Sequence, residues 1–238
     1  MNILAFDTCF GACSVAVRKR TPRGEVIVRE EYEERATGHA ETLLPMMQRV
    51  MIAAQLEFRD LDRLAVTEGP GSFTGVRIGV STARGLALAL DKPVVPMTSL
   101  MVMALRADHL MGSQRAGRLL AVCVDARKGQ VYAQLFGENG GDALGEPQLV
   151  TPQALARQLD GRPFLAVGSG ATAVVAAGPH PGNPLIGEAA LPALEPHARW
   201  LAVLAPGLTP RAKLSPLYLR PPDAKPQGTP INIAAQKS

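Results

Sequence analysis

The sequence is poor in aromatic residues, which make up 4% of its 238 positions, although hydrophobic residues of all kinds reach 47%. Its interior must therefore be built from Leu, Val, Ala and Met. A chain of this length and apolar content can form one large domain or two smaller lobes. No apolar run approaches the ~18–20 residues that a membrane-spanning helix needs, so we expect no membrane partner.

Cysteine is also scarce, and the three cysteines, Cys9, Cys13 and Cys123, form no C-x-x-C pair. An odd cysteine count without a signal-peptide pattern indicates a reducing compartment, and we expect a cytoplasmic protein. Cys9 and Cys13 lie four residues apart in a strand-turn-strand region, which is poor geometry for binding zinc. We predict that they are buried as small hydrophobic side chains.

The charge pattern lacks any block of Lys and Arg and any basic stripe interleaved with aromatic residues, and the formal net charge is +4. This argues against an autonomous nucleic-acid-binding domain but permits a contribution to binding RNA. Arg211, Lys213 and Arg220 are the candidates for such a contribution. Their contact with RNA would be sensitive to salt.

Three short runs with the composition of strands open the chain and predict an antiparallel meander. They lie at 2–6, 13–17 and 25–33. Helical and strand patterns then alternate, so the first part of the chain is predicted to be β-β-β-α-β-α-β. A strand at 119–124, a turn carrying Asp125 and a strand at 130–136 repeat the opening strand-Asp-turn-strand pattern. This repeat suggests two lobes of similar topology.

Domain boundaries follow from this repeat and from the polar breaks. We assign residues 1–110 to an N-terminal lobe and 111–220 to a C-terminal lobe, with a hinge predicted at the polar segment 112–117. Residues 221–238, rich in Pro, Gly, Lys and Gln, are predicted to form a disordered tail.

A Gly-rich turn at 68–79, EGPGSFTGVRIG, joins a short apolar strand to a helix. It is neither a Walker A loop nor a G-x-G-x-x-G motif. One interpretation is that the turn holds an anion on free amides of the helix start. The other is that Gly69 and Gly71 form the corner while Ser72 or Thr74 caps the helix. No lysine, base or metal set elsewhere in the sequence is predicted to converge on the turn, so we favour the second.

The helical patterns at 38–56 and 73–90 both carry more apolar surface than one core face needs. In the second helix, small residues recur every four positions and form a ridge on which another helix can lie closely. They are Gly75, Gly79, Ala83 and Ala87. Burial in the core covers one face of each helix, and a partner protein could cover the other.

Histidines give no sign of a metal site. His39 begins the first helical pattern, but the position four residues later is Leu43 rather than a second histidine. We interpret His39 as a structural or hydrogen-bonding group and predict no metal ligand set in this chain.

Several motifs occur together in one order. They are ILAFDT at 3–8, CSVA at 13–16, HAETLLP at 39–45, GPGSFTGVRIG at 69–79, DAR at 125–127 with VY at 131–132, and YLR at 218–220. As a set they resemble the bacterial TsaB family, also called YeaZ, over nearly the whole chain to Arg220. The run at 69–79 is the most specific of these motifs.

The resemblance implies an actin-like, Hsp70-like fold of the ASKHA, ribonuclease H-like type, with a mixed sheet and helices in each of two lobes. It also implies a subunit without catalytic residues. Such a subunit would support a TsaD-type catalytic subunit and a TsaE-type ATPase. Together they would transfer threonylcarbamoyl from threonylcarbamoyl-adenylate to N6 of adenosine 37 in tRNAs reading ANN codons. ATP would be used by the complex, and the metal would lie on the partner subunit.

In the family, the first two helices of the N-terminal lobe pack against matching helices of the TsaD-type subunit. The same surface forms homodimers when that subunit is absent. Carried onto this chain, the resemblance predicts an interface made by twelve residues. They are His39, Leu43, Met46, Met47, Val50, Phe73, Gly75, Val76, Arg77, Gly79, Val80 and Ala83.

The resemblance further implies a degenerate nucleotide site. Phosphate-binding hairpins of this superfold usually place a glycine after their Asp, and the turns at Asp7 and Asp125 lack it. The predicted degenerate loops contain Asp7, Thr8, Ser14, Gly69, Gly71, Ser72, Asp125, Gly168 and Gly170.

An enzyme is the alternative interpretation, either a small kinase or a glycoprotease-like metallohydrolase of the same superfold acting on its own. Asp7 and Asp125 could supply carboxylates for such chemistry. The phosphate-binding glycines and a His pair with metal spacing are missing, however. We therefore favour the scaffold subunit, and tight binding of Mg-ATP by the isolated chain would favour the enzyme.

Overall fold

The structure is a computed structural model that describes residues 1–138, 141–159, 161–178 and 187–220. The predicted tail 221–238 lies outside the described residues. Within them, no helix is both long and apolar enough to span a membrane.

The first sheet is built from the N-terminal part of the chain. Its strands are β1 (Ile3–Asp7), β2 (Ala12–Arg20), β3 (Val26–Glu34), β4 (Arg63–Thr67) and β5 (Val94–Met97), in the order β3-β2-β1-β4-β5. The first three strands pair antiparallel, and β4 and β5 add in parallel. The predicted meander is therefore confirmed.

A second sheet repeats this arrangement. Its strands are β6 (Leu119–Asp125), β7 (Val131–Phe136), β8 (Gln148–Val150), β9 (Phe164–Val167) and β10 (Gly187–Ala189). Read as β8-β7-β6-β9-β10, the order has the same antiparallel and parallel pairings as the first sheet. Two mixed sheets of one topology confirm the predicted actin-like fold class. Strands β8 and β10 were not predicted, because three residues are too short to show alternation.

Two helices follow the strands of the first sheet, α1 (His39–Ala53) and α2 (Phe73–Leu90). The apolar stripe of α1 at i, i+3 and i+4 faces the sheet, and the helix is shorter than the predicted 38–56 by one residue at the start and three at the end. Helix α2 has the predicted bounds. Ser72 caps it, since its Oγ accepts a hydrogen bond from Gly75 N at 3.1 Å.

The remaining helices are α3 (Ser99–Met111), α4 (Pro152–Leu159), α5 (Ala171–Ala176) and α6 (Ala198–Leu204). Helix α3 follows the first sheet but buries its apolar residues with those of β6, β7 and β9. Helix α6 follows the second sheet but buries Ala198, Leu201 and Ala202 against β1, β2 and β4. Each sheet is thus covered by a helix from the other half of the chain.

This exchange bears on the lobe boundaries. The division into 1–110 and 111–220 stays a prediction, as does the hinge at 112–117. Within the second range, however, residues 198–205 belong to the core of the first sheet. Arg211 N also donates to Val94 O of β5 at 2.9 Å. The C-terminal end of the described chain therefore packs on the N-terminal sheet.

Candidate partner surface and Gly-rich turns

The predicted partner interface requires a correction at the level of side chains. Ten of its twelve residues lie in the core of this chain and face the first sheet: His39, Leu43, Met46, Met47, Val50, Gly75, Val76, Gly79, Val80 and Ala83. Phe73 and Arg77 are exposed. The apolar stripe read from the sequence is the stripe that the protein's own core needs, so it cannot also meet a partner. The assignment of α1 and α2 to an interface stays a prediction.

A second apolar row remains on the outer faces of these two helices. Leu44 and Ile52 on α1 are 51% and 75% exposed, and Phe73 and Leu88 on α2 are 43% and 87% exposed. Each of these side chains leaves apolar area in water, and all four lie on two helices that contact each other. Helices α1 and α2 therefore have exposed apolar side chains in addition to their buried faces, and these four residues provide them.

Phe73 stands in a small cluster at the start of α2. Its ring stacks on Tyr218, with centroids 5.3 Å apart, and the Arg77 guanidinium lies 3.8 Å from the Phe73 centroid. Arg77 Nε also donates to the Tyr218 hydroxyl at 2.9 Å. These contacts hold the C-terminal segment around Tyr218 against the first turns of α2.

The turn after β1 contains the first predicted loop, and its polar groups are used internally. Asp7 is fully buried and accepts hydrogen bonds from the Thr67 hydroxyl and from Cys9 N. Burial raises the pKa of Asp7 to about 6, although these hydrogen bonds act in the opposite direction. Thr8 Oγ1 donates to Gly75 O at 2.7 Å, and Ser14 Oγ accepts from Ala198 N at 3.0 Å.

The Gly-rich turn lies directly on this loop. Ser72 N donates to Cys9 O at 2.7 Å. A β-carbon at Gly71 would come within 2.5 Å of the same oxygen, and one at Gly75 would overlap Thr8 O. The glycines are therefore required for close approach of the two backbones. The space an anion would need is occupied by the Asp7–Gly11 turn.

The second predicted loop makes a similar contact between a Gly turn and a strand end, but its carboxylate is exposed rather than buried. Gly168 and Gly170 lie against Cys123 O, and Gly170 N donates to it at 2.9 Å. Asp125 is exposed, and its Oδ1 accepts from Arg127 N at 2.9 Å. The structure thus brings each predicted Asp next to its Gly turn, one pair per sheet.

Glu195 was not among the residues predicted from the sequence. It precedes α6, and its carboxylate accepts from Gly11 N at 3.2 Å, while Arg106 donates to its backbone oxygen at 2.8 Å. Burial, and then the nearby charge of Asp7, raise the pKa of Glu195 to about 7. An anion approaching this turn would therefore meet a carboxyl group at Gly11 N. No local pattern marks Glu195, since 184 residues separate it from Gly11.

A stacked pair lies beside this carboxyl group. The rings of Tyr32 and His197 are 4.9 Å apart and nearly parallel, and the Arg106 guanidinium stands 5.1 Å from the Tyr32 centroid. Burial lowers the pKa of His197 to about 4. In the described ranges, no three His, Cys, Asp or Glu side chains are placed to share a metal ion.

Comparison with known proteins decides the family. A family model described as TsaD, tRNA N6-adenosine threonylcarbamoyltransferase, matches residues 31–171, which is more than half of the chain. The tRNA threonylcarbamoyladenosine biosynthesis protein TsaB of Escherichia coli is 37% identical over 204 residues, covering 82% of this chain and 83% of that protein. The chain belongs to the TsaB family. The Haemophilus influenzae TsaB is 34% identical and covers 71% of this chain and 72% of its own length.

Solved structures agree with this membership. YeaZ from Pseudomonas aeruginosa is similar with a TM-score of 0.75 and 30% identity, over 92% of this chain and 99% of that one. A second Pseudomonas aeruginosa structure, of a protein similar to peptidase YEAZ, has a TM-score of 0.76. The TsaB resemblance drawn from the motifs is therefore confirmed.

Proposed function

We propose that this TsaB-family chain is a non-catalytic subunit in tRNA threonylcarbamoyladenosine biosynthesis in the cytoplasm. It binds a TsaD-type catalytic subunit and, with a TsaE-type ATPase, supports transfer of threonylcarbamoyl to N6 of adenosine 37 in tRNAs reading ANN codons. The names of its relatives support the pathway. ATP, threonylcarbamoyl-adenylate and the metal belong to the assembly and its catalytic subunit.

The observation that carries this proposal is the exposed apolar row on α1 and α2. Ile52 and Leu88 are among the most exposed large hydrophobic residues described. The two helices contact each other and share one core cluster, so they form one rigid support. A helical partner surface of matching apolar character would remove the row from water. A second copy of the chain uses the same row when the catalytic subunit is absent.

The contacts around the β1–β2 turn support the non-catalytic part of the proposal. Asp7 is enclosed and hydrogen-bonded to Thr67 and Cys9, so it cannot reach a substrate hydroxyl as a general base without rearrangement. Gly11 N is occupied by the Glu195 carboxylate. These contacts favour a scaffold over a kinase, for which calorimetry with Mg-ATP on the isolated chain remains the test.

A double variant, Ile52→Asp with Leu88→Asp, tests the surface. Both positions are solvated, so the isolated chain should remain folded, while burial of two carboxylates against an apolar partner should weaken association at least about tenfold. The measurement is the affinity for the TsaD-type subunit, followed by a tRNA modification assay with and without this chain. Met47 and Val80 are unsuitable positions for this test, because they are core residues and an Asp at either position would unfold the chain.

The matched control is Leu110→Asp with Leu144→Asp, which changes two leucines that are 54% and 52% exposed outside α1 and α2. This control should associate like the unmodified chain. Equal association of both double variants, each confirmed folded by circular dichroism, would contradict the proposed surface. Modification proceeding at full rate without the chain would contradict the proposed function itself.

A further inference from the structure

The C-terminal segment 209–220 runs along the first sheet and ends at the β6–β7 turn of the second sheet. Leu217 N donates to Glu68 O at 2.6 Å, and the Arg84 guanidinium donates to Leu214 O. At its end, Arg220 Nη2 donates to Arg127 O at 3.2 Å and to Gln130 Oε1 at 2.9 Å. Backbone and side-chain hydrogen bonds therefore fix the course of this segment from β5 to the β6–β7 turn.

Four cations follow this course, and we call them the basic track: Arg127, Arg211, Lys213 and Arg220. Residues 209–220 contain no Asp or Glu. Within the described part of the chain, Arg211 is the one member of the track in a salt bridge, with Glu68 at 2.9 Å. Arg127 meets Asp125 through its backbone N–H rather than its guanidinium. The track therefore presents a row of positive charge for which the described chain supplies little compensation.

The β6–β7 turn that contributes Arg127 has an unusual backbone. Arg127 and Lys128 have φ values of +62° and +54°, and Gly129 follows at +69°. Turns with consecutive left-handed residues are normally made by Asn and Gly, because a β-carbon disfavours this conformation. Two long cationic side chains at these positions are not what turn geometry selects. Such a departure points to a requirement for the side chains themselves.

We infer that the basic track binds phosphates of the tRNA on which the assembly acts, an inference that rests on the proposed function. Arg211 and Arg220 are nine residues apart, so the track extends over at most ~30 Å. A linear array of cations matches the regular charge of a nucleic-acid backbone better than the compact carboxylate cluster of an acidic protein. Tyr218, 39% exposed within the same segment, adds an aromatic ring beside it.

Because the basic track is small, we expect it to contribute to tRNA binding only when this chain is assembled with the catalytic subunit. Four phosphate contacts give weak, salt-sensitive affinity when they act alone. When this chain is bound to a catalytic subunit that binds the same tRNA, the basic track acts as a second binding module. It then increases the overall affinity for tRNA, because the tRNA is held at a high effective concentration. The small net charge of the chain is consistent with such a contributory surface.

The test removes three charges of the track while keeping Arg211, whose loss would leave the buried Glu68 unpaired. The variant is Arg127→Gln, Lys213→Gln and Arg220→Gln. The control, with the same change in net charge, is Arg23→Gln, Arg59→Gln and Arg157→Gln, at exposed positions outside the track. Each chain is assembled with the TsaD-type subunit, and affinity for a tRNA transcript is measured by fluorescence anisotropy at several NaCl concentrations.

The track variant should bind tRNA at least about tenfold more weakly near 0.1 M salt. Its slope of log affinity against log salt should be shallower by about 2 to 3, because each phosphate that a cation neutralises contributes about 0.7 to 0.9 to that slope. The control should change affinity by less than about twofold. Equal slopes for the two variants would overturn the inference. Should the triple variant fail to fold, Lys213→Glu alone serves, with an expected decrease in affinity of about threefold or more against Arg23→Glu.

Association with the TsaD-type subunit is measured in parallel without RNA. A track variant that no longer associates would assign the cations to a protein partner and overturn the inference. Normal association with unchanged tRNA affinity would overturn the inference and leave the proposed function standing. Failure of the unmodified chain to associate with the TsaD-type subunit would instead contradict the proposed function.

Discussion

Single glycines decide whether the Gly-rich turn can lie on the β1–β2 turn, and two glycines of α2 make this testable. Gly75→Ala should destabilise the protein by about 1–3 kcal/mol, because its new methyl group would overlap Thr8 O. Gly85→Ala should stabilise it by about 0.5–1 kcal/mol, since no other part of the described chain lies within 4 Å of the added β-carbon and alanine is the better helix former. The measurement is urea unfolding followed by circular dichroism.

The two substitutions are chemically identical and lie in one helix, so helix propensity predicts the same sign for both. Opposite signs would show that close approach to Thr8, rather than helix propensity, explains Gly75. A Gly75→Ala protein as stable as Gly85→Ala would mean that the overlap is relieved by a small shift of α2, and the packing role of the turn would be wrong.

Residue-level prediction from the sequence succeeded where the signal is local. The capping role of Ser72 follows from its place before a helical pattern. The interface stays a prediction, but its buried members, such as Leu43 and Met47, pack in the core of this chain. An apolar stripe in a sequence shows that a helix face is covered, and it does not show what covers it. Residue-level prediction could not find Glu195, whose environment is assembled from distant parts of the chain.

At the scale of elements, the packing of α6 on the first sheet supplies a second test. Leu201 is fully buried among residues of β1, β2 and β4, so Leu201→Ala should cost about 2–5 kcal/mol. Val203, two residues along and 44% exposed, is the matched control, and Val203→Ala should change stability by less than about 0.5 kcal/mol. Chemical denaturation of both variants measures the difference. Similar stabilities would contradict the return of α6 to the N-terminal sheet.

The exchange of helices between the sheets could not be predicted from the sequence, for a physical reason. The sequence of a short helix such as Ala198–Leu204 shows that the helix is apolar, but it does not show which of the two sheets buries it. Strands are different, because pairing is tied to chain order by short turns, and the meander of β1 to β3 was therefore predictable. The repeat of the strand-Asp-turn-strand pattern then identified the second sheet.

For the whole molecule, the acidic groups at the β1–β2 turn, Asp7 and Glu195, predict how stability depends on pH. The pKa of Asp7 is raised to about 6 and that of Glu195 to about 7. The folded protein therefore holds these protons more tightly than the unfolded chain does. Their contribution to stability is complete below the unfolded pKa values of about 4, and it is lost progressively as the pH rises from there through about 6 and 7. Stability should decrease over this range.

His197 acts in the opposite direction, because its pKa is lowered to about 4. The folded state binds its proton less tightly, so its contribution to stability increases as the pH rises from about 4 to about 6.5. Two carboxyl groups outweigh one imidazole, so the net slope of stability against pH stays negative from about pH 4.5 to about pH 7. The clearest decrease in unfolding free energy should therefore fall near about pH 5 to 6, and it should level off above about pH 7.

Glu195→Gln separates these contributions. The amide oxygen can still accept from Gly11 N, but no proton is released there and no charge forms beside Asp7. The variant should match the unmodified protein at about pH 4, exceed it in stability at about pH 8, and show a shallower decrease between them. Urea unfolding at four pH values measures this. Glu25→Gln, at an exposed carboxylate in the β2–β3 turn, is the control. A Glu195→Gln profile parallel to the unmodified one would show that Glu195 is ionised in the folded protein throughout, and that Arg106 holds it as an ion pair.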